Sequence, residues 1–103
     1  MKFSSLITGS IAAAVLAGQG LALAHGDEHA ARALASGCAA CHGTNGKAQD
    51  PMPVLAGKSR EYIVERLQSF RSGQRQATIM HQHAKGYSDE QIAMLADYFS
   101  RQK

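Results

Sequence analysis

The sequence has 103 residues, contains no tryptophan, is 45% hydrophobic, and carries a formal net charge of +3 at pH 7. A chain of this length predicts one small domain, whose hydrophobic core alone contributes little net stability. These properties exclude a multi-layer fold with a cleft for a large substrate. They also predict that something other than the protein core stabilises the domain.

The first 24 residues predict a signal peptide that is cleaved on export. An apolar stretch follows Lys2 and ends in Ala22-Leu23-Ala24, which offers the small residues that a signal peptidase recognises. An uncleaved membrane anchor is the alternative, because the uncharged stretch is nearly as long as a bilayer span. Gly18-Gln19-Gly20 interrupts the stretch and favours cleavage. We therefore expect residues 25–103 to form a periplasmic domain that is not attached to the membrane.

The first predicted helix runs from Asp27 to about Ser36 and is ended by Gly37. We expect its apolar face to consist of Ala30, Ala33 and Leu34. The segment from Gly43 to Gly57 contains three glycines, one Asn, one Asp and both prolines of the chain. This composition predicts a loop.

Two further helices are predicted after this loop. Ser59 can cap a helix that Gly73 ends, with a stripe formed by Tyr62, Ile63, Leu67 and Phe70. We expect a second loop through residues 80–87. Ser88 and Gln91 then form the pattern of a capping box, and the last helix presents Ile92, Leu95, Ala96 and Phe99 on one face. Because no strand pattern occurs, the predicted fold is all-α.

The reactive side chains are concentrated in Cys38-Ala39-Ala40-Cys41-His42. Two cysteines are too few for a disulfide-rich scaffold, and a disulfide between them would close too short a loop to stabilise much. Two thiols three positions apart can instead bond to the two vinyl groups of one haem edge, with the next histidine beneath the iron. The motif predicts one covalently bound haem c, held by Cys38 and Cys41 and ligated by His42. A disulfide or metal-binding module without haem is the alternative.

A six-coordinate haem needs a second axial ligand, which in cytochromes is often methionine. Met80 lies in the loop predicted between two helices and can reach the side of the haem opposite His42. Met52 follows the histidine too closely along the chain to do so. Met94 lies within the last predicted helix and is expected to pack against its neighbours. Met80 is therefore the predicted ligand.

Other basic side chains offer alternatives to this interpretation. His81 or His83 could replace Met80 as a ligand and would lower the reduction potential, although loop histidines are more often solvated. Arg66, Arg71 and Arg75 could form an electropositive patch. We expect them to form a solvated surface, and we expect no binding of nucleic acid.

Three segments together resemble the class I cytochromes c: the motif at 38–42, Pro53-Val54-Leu55-Ala56-Gly57, and Met80 before the final amphipathic helix. The resemblance implies a small all-α fold packed around one haem, with His42 on the proximal side and Met80 on the distal side. It also implies that the carbonyl oxygen of Pro53 accepts a hydrogen bond from Nδ1 of His42. The first and last helices would cross near Ala30, Leu34, Leu95 and Tyr98.

A narrower resemblance comes from residues 70–73, 77–80 and 84–88. These segments are similar to the cytochrome subunits of flavocytochrome c sulfide dehydrogenases and to domains of small dihaem periplasmic cytochromes. This implies a chain that accepts electrons from an FAD-containing flavoprotein that oxidises sulfide. A freely diffusing periplasmic electron carrier, serving another oxidoreductase or a terminal oxidase, is the alternative.

The two predicted iron ligands and the small net charge lead to expectations about catalysis and about docking of the redox partner. An iron with two protein ligands has no open position for a substrate, so we expect no catalysis by this chain alone, whereas a haem sensor or peroxidase needs a vacant position. We expect the redox partner to contact the haem edge near Cys38, framed by Ala39, Ala40 and Met52. Since the net charge is small once the haem propionates are included, docking should depend weakly on salt.

Overall fold

The computed structural model describes residues 27–103, and the predicted signal peptide of residues 1–24 lies outside the described residues. Within 27–103 the chain is helical and has no β-strand. The helices are α1 (27–36), α2 (Ala39–His42), α3 (Arg60–Ser72), α4 (Met80–Lys85) and α5 (Asp89–Ser100), with one 3-10 turn at Thr44–Gly46. None of the helices in this part of the chain is long and apolar enough to cross a bilayer.

The predicted ends of the two long helices are confirmed. The hydroxyl oxygen of Ser59 accepts a hydrogen bond from the backbone N–H of Tyr62 at the start of α3, and Gly73 ends this helix in a left-handed conformation. At the start of α5, Ser88 and Gln91 form both hydrogen bonds of a capping box, at 3.2 and 3.0 Å. Local hydrogen bonding therefore sets these boundaries.

The loop predicted over residues 80–87 is wrong for its first six residues, which form α4. The residues at its two ends carry no capping signal, since Ile79 provides no side-chain cap and Gly86 is not left-handed. The helix is therefore stabilised by tertiary packing rather than by local capping. Ala84 is fully buried, and α4 packs along α3, so burial stabilises a helix too short to form alone.

The predicted apolar face of α1 is rotated from the observed one. Ala31 and Ala35 are buried, whereas Ala30 and Ala33 are exposed and Leu34 is half-buried. The first helix is so rich in alanine that several faces look equally apolar in the sequence. Ala31 and Ala35 belong to the same buried cluster as residues of α3 and α5, so packing in the folded protein selects this face.

The hydrophobic core is centred on α5. This helix contributes Ile92, Leu95, Ala96, Tyr98 and Phe99, and it meets the buried alanines of α1 and the buried residues Ile63 and Leu67 of α3. Ile92 and Leu95 are the largest side chains that are fully buried in the described part of the chain. The protein core is therefore small, in line with the composition.

Candidate functional site

The two cysteines lie in and just before the short helix α2, which follows α1 after a two-residue turn. Cys38 is half-buried and Cys41 is exposed, and the two thiols are not joined in a disulfide. Burial raises the pKa of the Cys38 thiol. Burial, together with the nearby charge of Cys38, also raises the pKa of Tyr87. The motif thus presents both thiols close to one end of α1.

His42 is the last residue of α2 and is only 7% exposed. Its Nδ1 lies 2.8 Å from the carbonyl oxygen of Pro53, the acceptor that the sequence resemblance implies. Because a carbonyl oxygen can only accept, Nδ1 must carry the hydrogen of this bond. In the neutral ring the lone pair is then on Nε2, which leaves that nitrogen able to bind a metal.

The carbonyl oxygen of Pro53 is held in place by a compact loop. The carbonyl oxygen of Gly46 accepts two backbone hydrogen bonds, from Leu55 at 2.9 Å and from Ala56 at 3.1 Å. These bonds tie the segment after Pro53 to the turn that follows His42. The donor and the acceptor of the His42 bond are therefore positioned by the same short stretch of chain.

The helix α5 anchors this loop through two contacts that the sequence analysis did not identify. The hydroxyl of Tyr98 donates a hydrogen bond of 2.6 Å to Oδ1 of Asn45, and the backbone N–H of Gly57 donates to the carbonyl oxygen of Phe99 at 3.0 Å. The Asn45-Gly46 dipeptide is a turn signal, but nothing local indicates Tyr98 as its partner. The last helix thus supports the histidine side of the site.

Met80 is the first residue of α4, where its half-buried side chain packs against the core. Arg71 of α3 contacts the residues that follow α4. Its Nη1 donates to the carbonyl oxygen of Tyr87 at 3.2 Å, and its Nη2 forms an ion pair with Asp89. Arg71 therefore fastens α3 to the connection between α4 and α5.

The expectation that all three arginines form a solvated surface is wrong for two of them. Arg71 is half-buried in the junction just described. Arg66 is also half-buried, with its guanidinium carbon 4.8 Å from the centre of the Tyr62 ring, a favourable cation–π geometry. Arg75 alone of the three is exposed. Packing of the long aliphatic stems explains the difference.

The other candidate ligands occupy different environments. Met94 packs against the core from α5, as expected, and Met52 is 36% exposed on the loop beside Pro53. His83 is exposed, whereas His81 is half-buried with Nδ1 lacking a hydrogen-bond partner. Within residues 27–103, no three His, Cys, Asp or Glu side chains come together as a metal site.

Exposed apolar side chains lie next to Pro53, the hydrogen-bond partner of His42, and next to Met80. Met52 and Val54 lie on either side of Pro53 and are 36% and 43% exposed, and Ile79 directly precedes Met80 and is 50% exposed. A contiguous exposed apolar patch marks an interaction site, whereas single exposed apolar side chains are normal. These three side chains fit a bound apolar group, and their exposure alone does not require one.

The family model described as Cytochrome c matches residues 28–103. The chain belongs to the cytochrome c family. This cytochrome therefore has the all-α class I fold, carries covalently bound haem c and is an electron carrier. The free Nε2 of His42, the paired thiols and the uncovered apolar side chains all fit that cofactor.

Three relatives show how far the similarity extends. The cytochrome subunit of sulfide dehydrogenase from Chlorobaculum tepidum is 47% identical over 66 residues, which are 64% of this chain and 60% of that protein. Cytochrome c-554(548) from Halomonas halodenitrificans is 40% identical over 82 residues, covering 76% of this chain and 99% of that protein. The solved cytochrome c4 of Acidithiobacillus ferrooxidans matches with a TM-score of 0.60 and 40% identity, over 61% of this chain and 37% of that one.

Proposed function

We propose that this cytochrome transfers single electrons in the periplasm through a haem c bonded to Cys38 and Cys41, with His42 and Met80 as axial ligands. When bound, haem c supplies a one-electron couple between ferric and ferrous iron. The observation that carries the proposal is the 2.8 Å hydrogen bond between Nδ1 of His42 and the carbonyl oxygen of Pro53. It orients the ring, leaves Nε2 available and makes that nitrogen more basic.

Met80 is proposed as the second ligand because of its position. It lies at the start of α4, half-buried and next to the exposed Ile79, on a segment separate from α2. A thioether ligand raises the reduction potential relative to histidine. If His42 and Met80 both hold the haem iron, they would leave it no free position for a substrate, so this chain would carry electrons and leave bond chemistry to its partner.

We propose further that the chain is the electron-accepting subunit of a sulfide dehydrogenase and receives electrons from an FAD-containing flavoprotein. The name of the Chlorobaculum tepidum relative supports this assignment, and so do the segments at residues 70–73 and 77–80. The second candidate is a freely diffusing periplasmic carrier. Its support is the match to 99% of cytochrome c-554(548), a relative whose name mentions no dehydrogenase.

The haem proposal is tested by expressing the full chain in a bacterium that attaches haem c, and purifying it from the periplasm. We expect haem that stays with the chain under denaturing conditions, and visible spectra of a six-coordinate iron in both redox states. N-terminal sequencing should start at His25. Haem that is lost on denaturation, or a ferrous protein that binds carbon monoxide readily, would contradict the proposal.

The partner assignment needs a separate experiment. The purified cytochrome is mixed with an FAD-containing sulfide-oxidising flavoprotein, and haem reduction is followed after sulfide is added. Rapid reduction together with co-elution in gel filtration supports a subunit. Rapid reduction without co-elution supports the free carrier, and no reduction rejects the sulfide dehydrogenase assignment while leaving electron transfer intact.

A further inference from the structure

Arg66, in the middle of α3, has hydrogen-bonding capacity that the protein does not use. Three buried side-chain nitrogen atoms lack a hydrogen-bond partner in the described part of the chain, and two of them are Nε and Nη1 of Arg66. The third is Nδ1 of His81. Leaving buried donors of a charged group without an acceptor is costly. The two unused donors of Arg66 therefore point to an acceptor that binds beside them.

The groups next to Arg66 do not satisfy these donors. Oε2 of Glu65 lies 3.7 Å from Nε, which is within ion-pair distance but too far for a hydrogen bond. Oε1 of Glu65 accepts a hydrogen bond of 2.8 Å from the hydroxyl of Ser69 instead. The Tyr62 ring attracts the cation but accepts no hydrogen bond from Nε or Nη1. The residues that the structure describes thus leave both donors without an anionic acceptor.

The course of α3 places Arg66 beside the proposed haem site. The helix begins three residues after Gly57, at the end of the loop that contains Pro53, and it packs along α4, which begins with Met80. It therefore runs from the histidine side of the site to the methionine side. Arg66 is the seventh of the thirteen residues of α3. Tyr62, one turn earlier, is half-exposed like the apolar side chains next to Pro53 and Met80.

We infer that the guanidinium of Arg66 donates a hydrogen bond to a propionate carboxylate of the haem. A haem carries two such carboxylates, and a charge-assisted hydrogen bond is roughly twice as strong as a neutral one. Arginine is well suited to a partly buried carboxylate, because its guanidinium is always charged and weakly hydrated. The inference rests on the proposed function in placing the haem between His42 and Met80.

The contact gives Arg66 a role in setting the reduction potential. Ferric haem carries one more positive charge than ferrous haem, so a cation held beside it disfavours the ferric state. Because Nε and Nη1 are buried, water and salt screen this effect less than they would at the surface. Arg66 thereby raises the reduction potential without ligating the iron.

Nuclear magnetic resonance of the isotope-labelled, haem-loaded ferrous protein tests the contact directly. We expect the Nε–H of Arg66 to exchange slowly with water and to show a nuclear Overhauser effect to a propionate methylene group. The signal is assigned by its absence from Arg66→Gln. Nuclear Overhauser effects from this N–H to protein protons alone, such as those of the Tyr62 ring, would overturn the inference. Since the contact is observed in the unmutated protein, a variant that folds poorly does not decide the result.

A spectroelectrochemical titration then measures the effect of the cation on the potential. Arg66→Gln should shift the equilibrium about fivefold toward the ferric form, and Arg66→Lys, which keeps the charge, less than about twofold. The matched control is Arg60→Gln, which removes the same charge from an exposed position of α3, in a groove lined by residues of α1 and α5. It should also shift the equilibrium less than about twofold. Equal shifts in Arg66→Gln and Arg60→Gln would mean that only overall charge matters, which would overturn the role given to Arg66.

The haem spectrum separates this inference from the proposed function. A six-coordinate spectrum without the propionate contact overturns the inference and leaves the proposed function standing. A spectrum that shows a missing axial ligand contradicts the proposed function, whether or not Arg66 contacts a propionate.

Discussion

Replacing Gly46 by alanine should damage the histidine side of the haem site without touching a proposed ligand. Gly46 is buried, with φ of +76°. An added Cβ would lie 2.8 Å from Cβ of Leu55, 2.9 Å from the backbone nitrogen of Ala56 and 2.9 Å from Cδ1 of Phe99. One of these atoms is backbone and another belongs to a buried ring, so none moves away freely.

The expected loss of stability combines two costs. A left-handed conformation costs an L-residue about 1–2 kcal/mol, and overpacking a tight site costs about 1–3 kcal/mol more. The total of about 2–5 kcal/mol is a large part of the free energy of unfolding of a small domain, about 5–15 kcal/mol. The same displacement would disturb the hydrogen bonds from Leu55 and Ala56 to the Gly46 carbonyl oxygen, and with them the position of Pro53.

Gly73→Ala is the matched control. Gly73 has a similar φ of +83°, but nothing lies within 4 Å of an added Cβ. Only the conformational cost of about 1–2 kcal/mol applies there. The assay is guanidinium unfolding of the haem-loaded ferric protein, followed by circular dichroism and by haem absorbance. If the two variants lose the same stability, within about 0.5 kcal/mol, the packing argument for Gly46 is refuted.

Three further predictions concern the distal ligand and α5. Met80→Ala should lower the reduction potential, because the thioether favours ferrous iron, and should let the ferrous protein bind carbon monoxide, because the ligand is lost. Met52→Leu should do neither. Carbon monoxide titration of the two ferrous variants distinguishes these outcomes. Tyr98→Phe should lower the free energy of unfolding by about 1 kcal/mol, because the exposed Asn45 can form hydrogen bonds with water instead. The melting temperature should then fall by about 4–8 °C. An unchanged melting temperature would show that the Tyr98 hydrogen bond does not anchor the loop. Ser88→Ala should cost about 1 kcal/mol in urea unfolding by removing the cap of α5, and Ser88→Thr should restore most of it; equal losses would contradict the capping argument.

The sequence by itself determined the features that depend on neighbouring residues. The order and spacing of Cys38, Cys41 and His42 are local, and so are the caps at Ser59 and Ser88 and the glycine that ends α3. Each of these signals involves residues within a few positions of one another, where chain connectivity already brings the groups together. The haem, the all-α class and the boundaries of the long helices were therefore predictable.

The tertiary structure decided whatever depends on distant partners. Six residues that were predicted as loop form α4, in which Ala84 is buried and which packs along α3. The alanine-rich helix α1 has one buried face because Ala31 and Ala35 join the hydrophobic core. Arg71, expected on the solvated surface, instead links α3 to the start of α5 through its hydrogen bond to Tyr87 and its ion pair with Asp89. These outcomes follow from which side chains meet across the fold, and spacing along the chain carries no information about such meetings.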